Sequence, residues 1–220
     1  MNPLLLALFF LLGSPDDPSS DAFRSMTSIY EQLDIHRPSW ETFEKAFTGY
    51  DKISQNYELN LEKPYLTIID LNLPSDKKRL WVIDLKERKI LFNTYASHGK
   101  NSGNLYAKHF SNKKGSYQTS LGFYITGISY QGRNGYSMYL EGIEKNFNHR
   151  ARERAIVMHG AWYATEKFIL NYGRLGRSYG CPAIPPKIHK ELIDTIMDRT
   201  VLFIYYEDDR YLEASQFLPH

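Results

Sequence analysis

One cysteine in 220 residues leaves no intrachain disulfide, so the fold must rest on its core and its hydrogen bonds. A single thiol cannot build a structural zinc site either. The seven histidines include no close pair and no HExxH, so spacing points to no metal and no cofactor. The Gly-rich stretch 173–180 lacks the Gly-Lys-Ser/Thr of a phosphate loop, which argues against a nucleotide. Net charge is only +2, without the concentrated basic face of a nucleic-acid binder. Long apolar runs are scarce too. Leu4 to Leu12 (LLLALFFLL) is too short to span a bilayer, and no later segment is long enough, so no span is expected in the mature chain.

What is present is an ordinary globular composition, 42% hydrophobic and 24% charged, with 17 tyrosines that suit strands and binding surfaces. The apolar run 4–12 resembles the hydrophobic region of a secretory signal, although no Lys or Arg precedes it. Residues 1–20 are therefore expected to be a signal peptide and linker, and the protein to be exported to the periplasm or cell envelope. Two amphipathic helices follow within 21–62. Phe23, Met26, Tyr30 and Leu33 stripe the first; Ser39 caps the second, striped by Phe43, Phe47, Tyr50 and Ile53.

From residue 63 the pattern becomes strand-like, and 63–220 reads as a catalytic domain. Strands are expected at 65–71, 80–85, 90–96, 123–128, 137–140, 155–158 and 201–206, the second and third forming a hairpin and the last lying centrally. Residues 97–120 read as a long loop of the functional kind. Short helices are expected at 164–170 and after Pro185-Pro186, the latter with Ile188, Leu192, Ile193 and Ile196 facing the core. The class is mostly β (α+β) with peripheral helices.

The segment 174–182 reads RLGRSYGCP. Gly180 permits a tight turn that bares Cys181, Pro182 fixes the chain after it, and Arg177 lies four residues away. His159 ends an apolar strand and precedes Gly160, a position that faces a cleft more often than a core. An imidazole within reach of a thiol takes its proton, so Cys181 and His159 are the candidate nucleophile and base. Their contact depends on the fold. His98, in a second His-Gly, is a weaker alternative that is expected to line the cleft. The basic run 149–154 reads as a solvated face or a lure for anionic peptide.

His159-Gly160 followed by Ser178-Tyr179-Gly180-Cys181 resembles the signature of the L,D-transpeptidase catalytic domain, and more closely its murein L,D-transpeptidase catalytic domain subgroup. The matching pieces are AIVMHGAWY (155–163), GRLGRSYGCPAIP (173–185), SHGKNSG (97–103), FSNKKGS (110–116) and TSLGFYITG (119–127). The similarity runs from about residue 40 to about residue 206. Where better-studied members place a His before the Gly-Cys and an Arg or Asn two positions after the Cys, this chain has Tyr179 and Ala183; Arg177 is the candidate to supply the missing charge.

The resemblance implies a β-sandwich catalytic domain and an exported cysteine acyltransferase, expected to be a monomer, acting on donor and acceptor stem peptides of peptidoglycan. It implies that Cys181 attacks the carbonyl on the L side of an L,D peptide bond, with His159 moving the proton. It further implies an oxyanion site from the N–H of Cys181 with that of Gly180 or Tyr179, a backbone carbonyl such as that of Gly160 orienting His159, and a bracing role for Ser178. It includes His98 as a substrate contact, and Arg177, where the chain departs from the pattern, is expected to be another. Hydrolysis by the same pair (an L,D-carboxypeptidase, or a cysteine amidase or peptidase) is the alternative, as is a wall-binding protein without catalysis.

Overall fold

The computed structural model describes residues 18–56 and 63–218. Two helices open it, α1 (Pro18–Gln32) and α2 (Trp40–Asn56). The run 4–12 and its expected cleavage lie outside the described residues, and α1 begins inside the segment read as linker, because Pro18 can start a helix. Ser39 caps α2 by accepting from the N–H of Thr42 at 3.2 Å.

Eight strands follow: β1 (Tyr65–Asp70), β2 (Leu80–Asp84), β3 (Lys89–Thr94), β4 (Gly122–Gly132), β5 (Gly135–Gly142), β6 (Val157–Gly160), β7 (Ala183–Ile184) and β8 (Val201–Tyr205). Three short helices lie among and after them, α3 (Glu166–Tyr172), α4 (His189–Ile196) and α5 (Asp209–Ala214). The strands form one mixed sheet in the order β3-β2-β1-β8-β4-β5-β6-β7. The pairs β1–β8 and β6–β7 are parallel; the rest are antiparallel. β8 is central and wholly buried, as a VLFIY run without a polar residue before its last hydroxyl requires. Pairing of β4 with β5 shifts register between Thr126 and Ser129, the kind of irregularity that bends a strand.

α2 covers β1 and β8, and α4 packs against β4, β5 and β6. The helix and sheet meet closely at Gly49: a Cβ there would lie 2.0 Å from the ring of Phe123, which stacks on Phe203 at 4.0 Å. Met26, Ile29, Leu33, Phe43 and Ile53 join the sheet's buried face in one core, so the N-terminal helices and the sheet are packed together. The strand expected at 155–158 lies two residues later, because Ala155 takes a positive φ of 52° and closes a turn that ends the basic run. The helix after Pro185-Pro186 starts only at His189. β7 and α5 are too short to announce themselves by periodicity.

Candidate active site

β6 and β7 build the site. His159 pairs with Ala183 in their parallel register, and Cys181 lies two residues before Ala183, about 7 Å along an extended chain. Both His159 and Cys181 line a cleft of about 550 Å³, with Lys100, Trp162, Tyr163, Arg177 and Tyr179 among its other walls. The tertiary structure thus brings together two side chains 22 positions apart in the sequence (181 − 159).

His159 is almost fully buried, and its Nδ1 lies 3.0 Å from the carbonyl oxygen of Gly160. A carbonyl only accepts, so Nδ1 carries the proton and Nε2 keeps its lone pair. Burial chiefly, and then the nearby His189, hold its pKa below the ordinary 6.5, so the ring is neutral near pH 7.

Cys181 is a half-buried free thiol whose S–H donates to the carbonyl of Ala155 at 3.7 Å. Desolvation pushes its pKa up, against the opposing pull of the Val157 N–H and the charge of Arg154. The resting group is therefore a thiol. No described hydrogen bond joins Sγ to His159.

The turn before Cys181 is held by its own side chains. The hydroxyl of Ser178 donates to the Cys181 carbonyl at 2.6 Å and accepts from the Gly180 N–H at 3.0 Å. Gly180 takes φ +121°, a left-handed value that glycine tolerates. Its N–H is thereby committed, which removes it from the oxyanion site anticipated from sequence. No described hydrogen bond uses the N–H of Tyr179 or of Cys181. Tyr179 is two-thirds exposed, packs on Tyr117 at 4.7 Å, and has the Lys100 ammonium 4.7 Å from its ring centre.

Arg177 lines the cleft while one arm of its guanidinium holds the carbonyls of Lys100 and Gly103 and the amide oxygen of Asn104. Its pKa is lowered by burial and then by the charge of Arg174, another lining residue. Among the described residues, these and Lys100 make three cations on the cleft wall, and no carboxylate lines it. Such a surface suits an anionic ligand.

His98 does not line the cleft, contrary to the expectation from sequence. It is 1% exposed; Arg79 Nη2 donates to its Nδ1 at 2.8 Å, and its Nε2 faces the Gly103 carbonyl at 3.3 Å. Burial, then the Arg79 charge, push its pKa down to about 3. Its own carbonyl accepts from the Ser178 N–H at 3.0 Å, so it supports the site from beneath.

Sequence reasoning did not single out Arg154. Far from being a solvated member of the basic run, it is half-buried: it donates to the Gln118 carbonyl at 2.6 Å, the Ser111 carbonyl at 2.7 Å and the Ser120 hydroxyl, tying loop 110–120 to the thiol's surroundings. Its place at the end of the run, next to the turn into β6, was the available signal. Tyr163 was also missed. Burial and the neighbouring Cys181 raise its pKa to about 12, and it stands within the AIVMHGAWY match.

A thiol and a neutral imidazole opening on one cleft, beside a turn in which no described hydrogen bond uses the N–H of Tyr179 or Cys181, form the equipment of cysteine-dependent acyl transfer. The chain belongs to the L,D-transpeptidase catalytic domain family, whose profile matches residues 35–205. Among solved structures it is similar to an L,D-transpeptidase from Mycobacterium smegmatis (12% identity, 65% of this chain and 59% of that one, TM-score 0.40). It is also similar to the L,D-transpeptidase of Xylanimonas cellulosilytica (11% identity, 84% and 93%, TM-score 0.40). A third is a lysine variant of the helical cell shape determining protein Pgp2 from Campylobacter jejuni (14% identity, 79% and 58%, TM-score 0.43). The chain spans 59% of the length of the Mycobacterium smegmatis protein. A search of curated proteins returns no match.

Proposed function

We propose that this protein is an exported L,D-transpeptidase that acylates Cys181 with a peptidoglycan stem peptide and passes the acyl group to an amine on a second stem. The observation that carries the reading is that Cys181 and a neutral His159 open on the same cationic cleft. Export rests on the apolar run 4–12; among the described residues, no helix is long and apolar enough to cross a membrane. Helices α1 and α2 serve as a buttress, and 63–220 as the catalytic domain.

In the first step Nε2 of His159 takes the thiol proton as Sγ turns from the Ala155 carbonyl toward the substrate. The S–C bond forms at the carbonyl on the L side of the L,D bond. The N–H groups of Cys181 and Tyr179 receive the developing oxyanion. The C–N bond then breaks, and the terminal D-residue leaves as an amine carrying the proton from His159. In the second step the acceptor amine gives a proton to His159 and attacks the thioester carbonyl; the C–S bond breaks, and Sγ takes that proton back from His159 to restore the thiol. The Val157 N–H and Arg154 stabilise the sulfur's charge during both steps. Lys100, Arg174 and the free edge of Arg177 hold the donor's carboxylate.

Intact-mass measurement after incubation with a carbapenem tests the reading. The wild type gains the mass of one inhibitor, and Cys181→Ala gains none. An unchanged mass for the wild type, or an equal gain in the variant, rules out the thioester mechanism. Product analysis with and without an acceptor amine separates transfer from hydrolysis.

A further inference from the structure

Beside the cleft lies a second concavity of about 520 Å³. Trp162 and Phe168 line both, so one aromatic wall serves the two. The wall continues along α3. Trp162 and Phe168 have ring centres 5.5 Å apart, and Phe168 and Tyr172 4.4 Å apart. Trp162 is 73% exposed and Tyr172 62% exposed, and α3 has no buried residue at all. Single exposed aromatics need no explanation, but a contiguous set on α3 and the turn before it, where the helix buries no residue, indicates a binding surface. Asn171, Lys167 and Lys187 stand around the concavity as hydrogen-bond donors, and no carboxylate among the described residues lines it.

We propose that this platform binds a pyranose unit of the glycan strand whose stem peptide occupies the cleft. The inference rests on the reading of the cleft given above. A sugar ring presents a face of C–H groups that lies flat on an aromatic ring, while its rim of hydroxyl and acetamide oxygens accepts from amide and ammonium donors. That is the combination found here. Continuity supplies the second argument: a stem whose carbonyl reaches Cys181 carries its sugar outside the cleft, and the shared wall of Trp162 and Phe168 leads directly onto the platform. Tyr172 lines only the second concavity, so it reports on the sugar without touching the acylation site.

The experiment titrates the full chain with a peptide-free chito-oligosaccharide, read by tryptophan fluorescence and calorimetry, and measures carbapenem acylation of Cys181 in parallel. The wild type binds the saccharide. Tyr172→Ala weakens binding by about tenfold or more, as loss of a central aromatic contact does, while its acylation rate equals that of the wild type. The proposal is overturned if the wild type does not bind the saccharide, if Tyr172→Ala binds it equally well, or if the platform instead takes anionic vesicles or a second copy of the chain and the saccharide does not compete. A wild type that binds saccharide but is never acylated defeats the enzymatic reading and leaves the platform standing.

Discussion

Lowering the pH is expected to loosen the floor of the site through His98. The ring is buried between the Arg79 guanidinium and the Gly103 carbonyl, with its pKa at about 3, against about 6.5 in an unfolded chain. Because the folded value is the lower one, the unfolded state binds more protons throughout that window. Stability is therefore full above pH 6.5 and is lost as the pH falls toward 3. At about 1.4 kcal/mol per pH unit, acidification to about pH 4.5 costs roughly 3 kcal/mol through this residue alone. That is a large fraction of the stability of an ordinary domain. His98→Gln removes the titration and keeps an acceptor for Arg79. Urea unfolding of both proteins at neutral pH and near pH 4.5 gives the comparison, in which other titrating groups cancel. The wild type should lose roughly 3 kcal/mol more than the variant. Equal losses would refute the argument that His98 is held neutral by burial and Arg79.

Two further outcomes follow from the site. His159 is neutral below its ordinary pKa, so the acid limb of the acylation rate should fall below pH 6.5. His159→Ala should abolish that limb and slow acylation near neutral pH by about 10²–10⁴-fold, with less loss at high pH where the thiol ionises unaided; a rate profile that keeps its acid limb in the variant removes His159 from the base role. Gly180→Ala should cost about 1–3 kcal/mol, since a Cβ at φ +121° would also lie 2.8 Å from the Gln118 carbonyl oxygen; urea unfolding would detect this, and unchanged stability would show that the turn is not strained.

Much of the fold was legible in the sequence because its elements carry strong period signals. The VLFIY run could only be an interior strand, and the stripes of Phe43, Phe47 and Ile53 could only face a core. The elements that escaped were those of a few residues. β7 spans two residues and owes its existence to the partner strand, and α5 is a six-residue helix capped by Asp208. The limit of β6 was misplaced because nothing local announces that Ala155 adopts a left-handed turn.

The site divides the same way. The sequence by itself determined the kinds of group available: one thiol, a histidine at a strand end, glycine and proline around the cysteine. These follow from residue identity and short spacing, where local sterics act. Only the tertiary structure decided which histidine shares the cleft with Cys181 and which supports it from below. His159 and His98 each precede a glycine; the apolar strand before His159 ranks it first, but both were expected at the cleft, and sequence does not show that His98 lies beneath it. The difference lies in what surrounds each ring: strand pairing sets one at the cleft wall, and Arg79, fully buried, seals the other beneath it. Burial and long-range contact are properties of the packed chain, and so is the conversion of Arg154 from a surface charge into the neighbour of a sulfur.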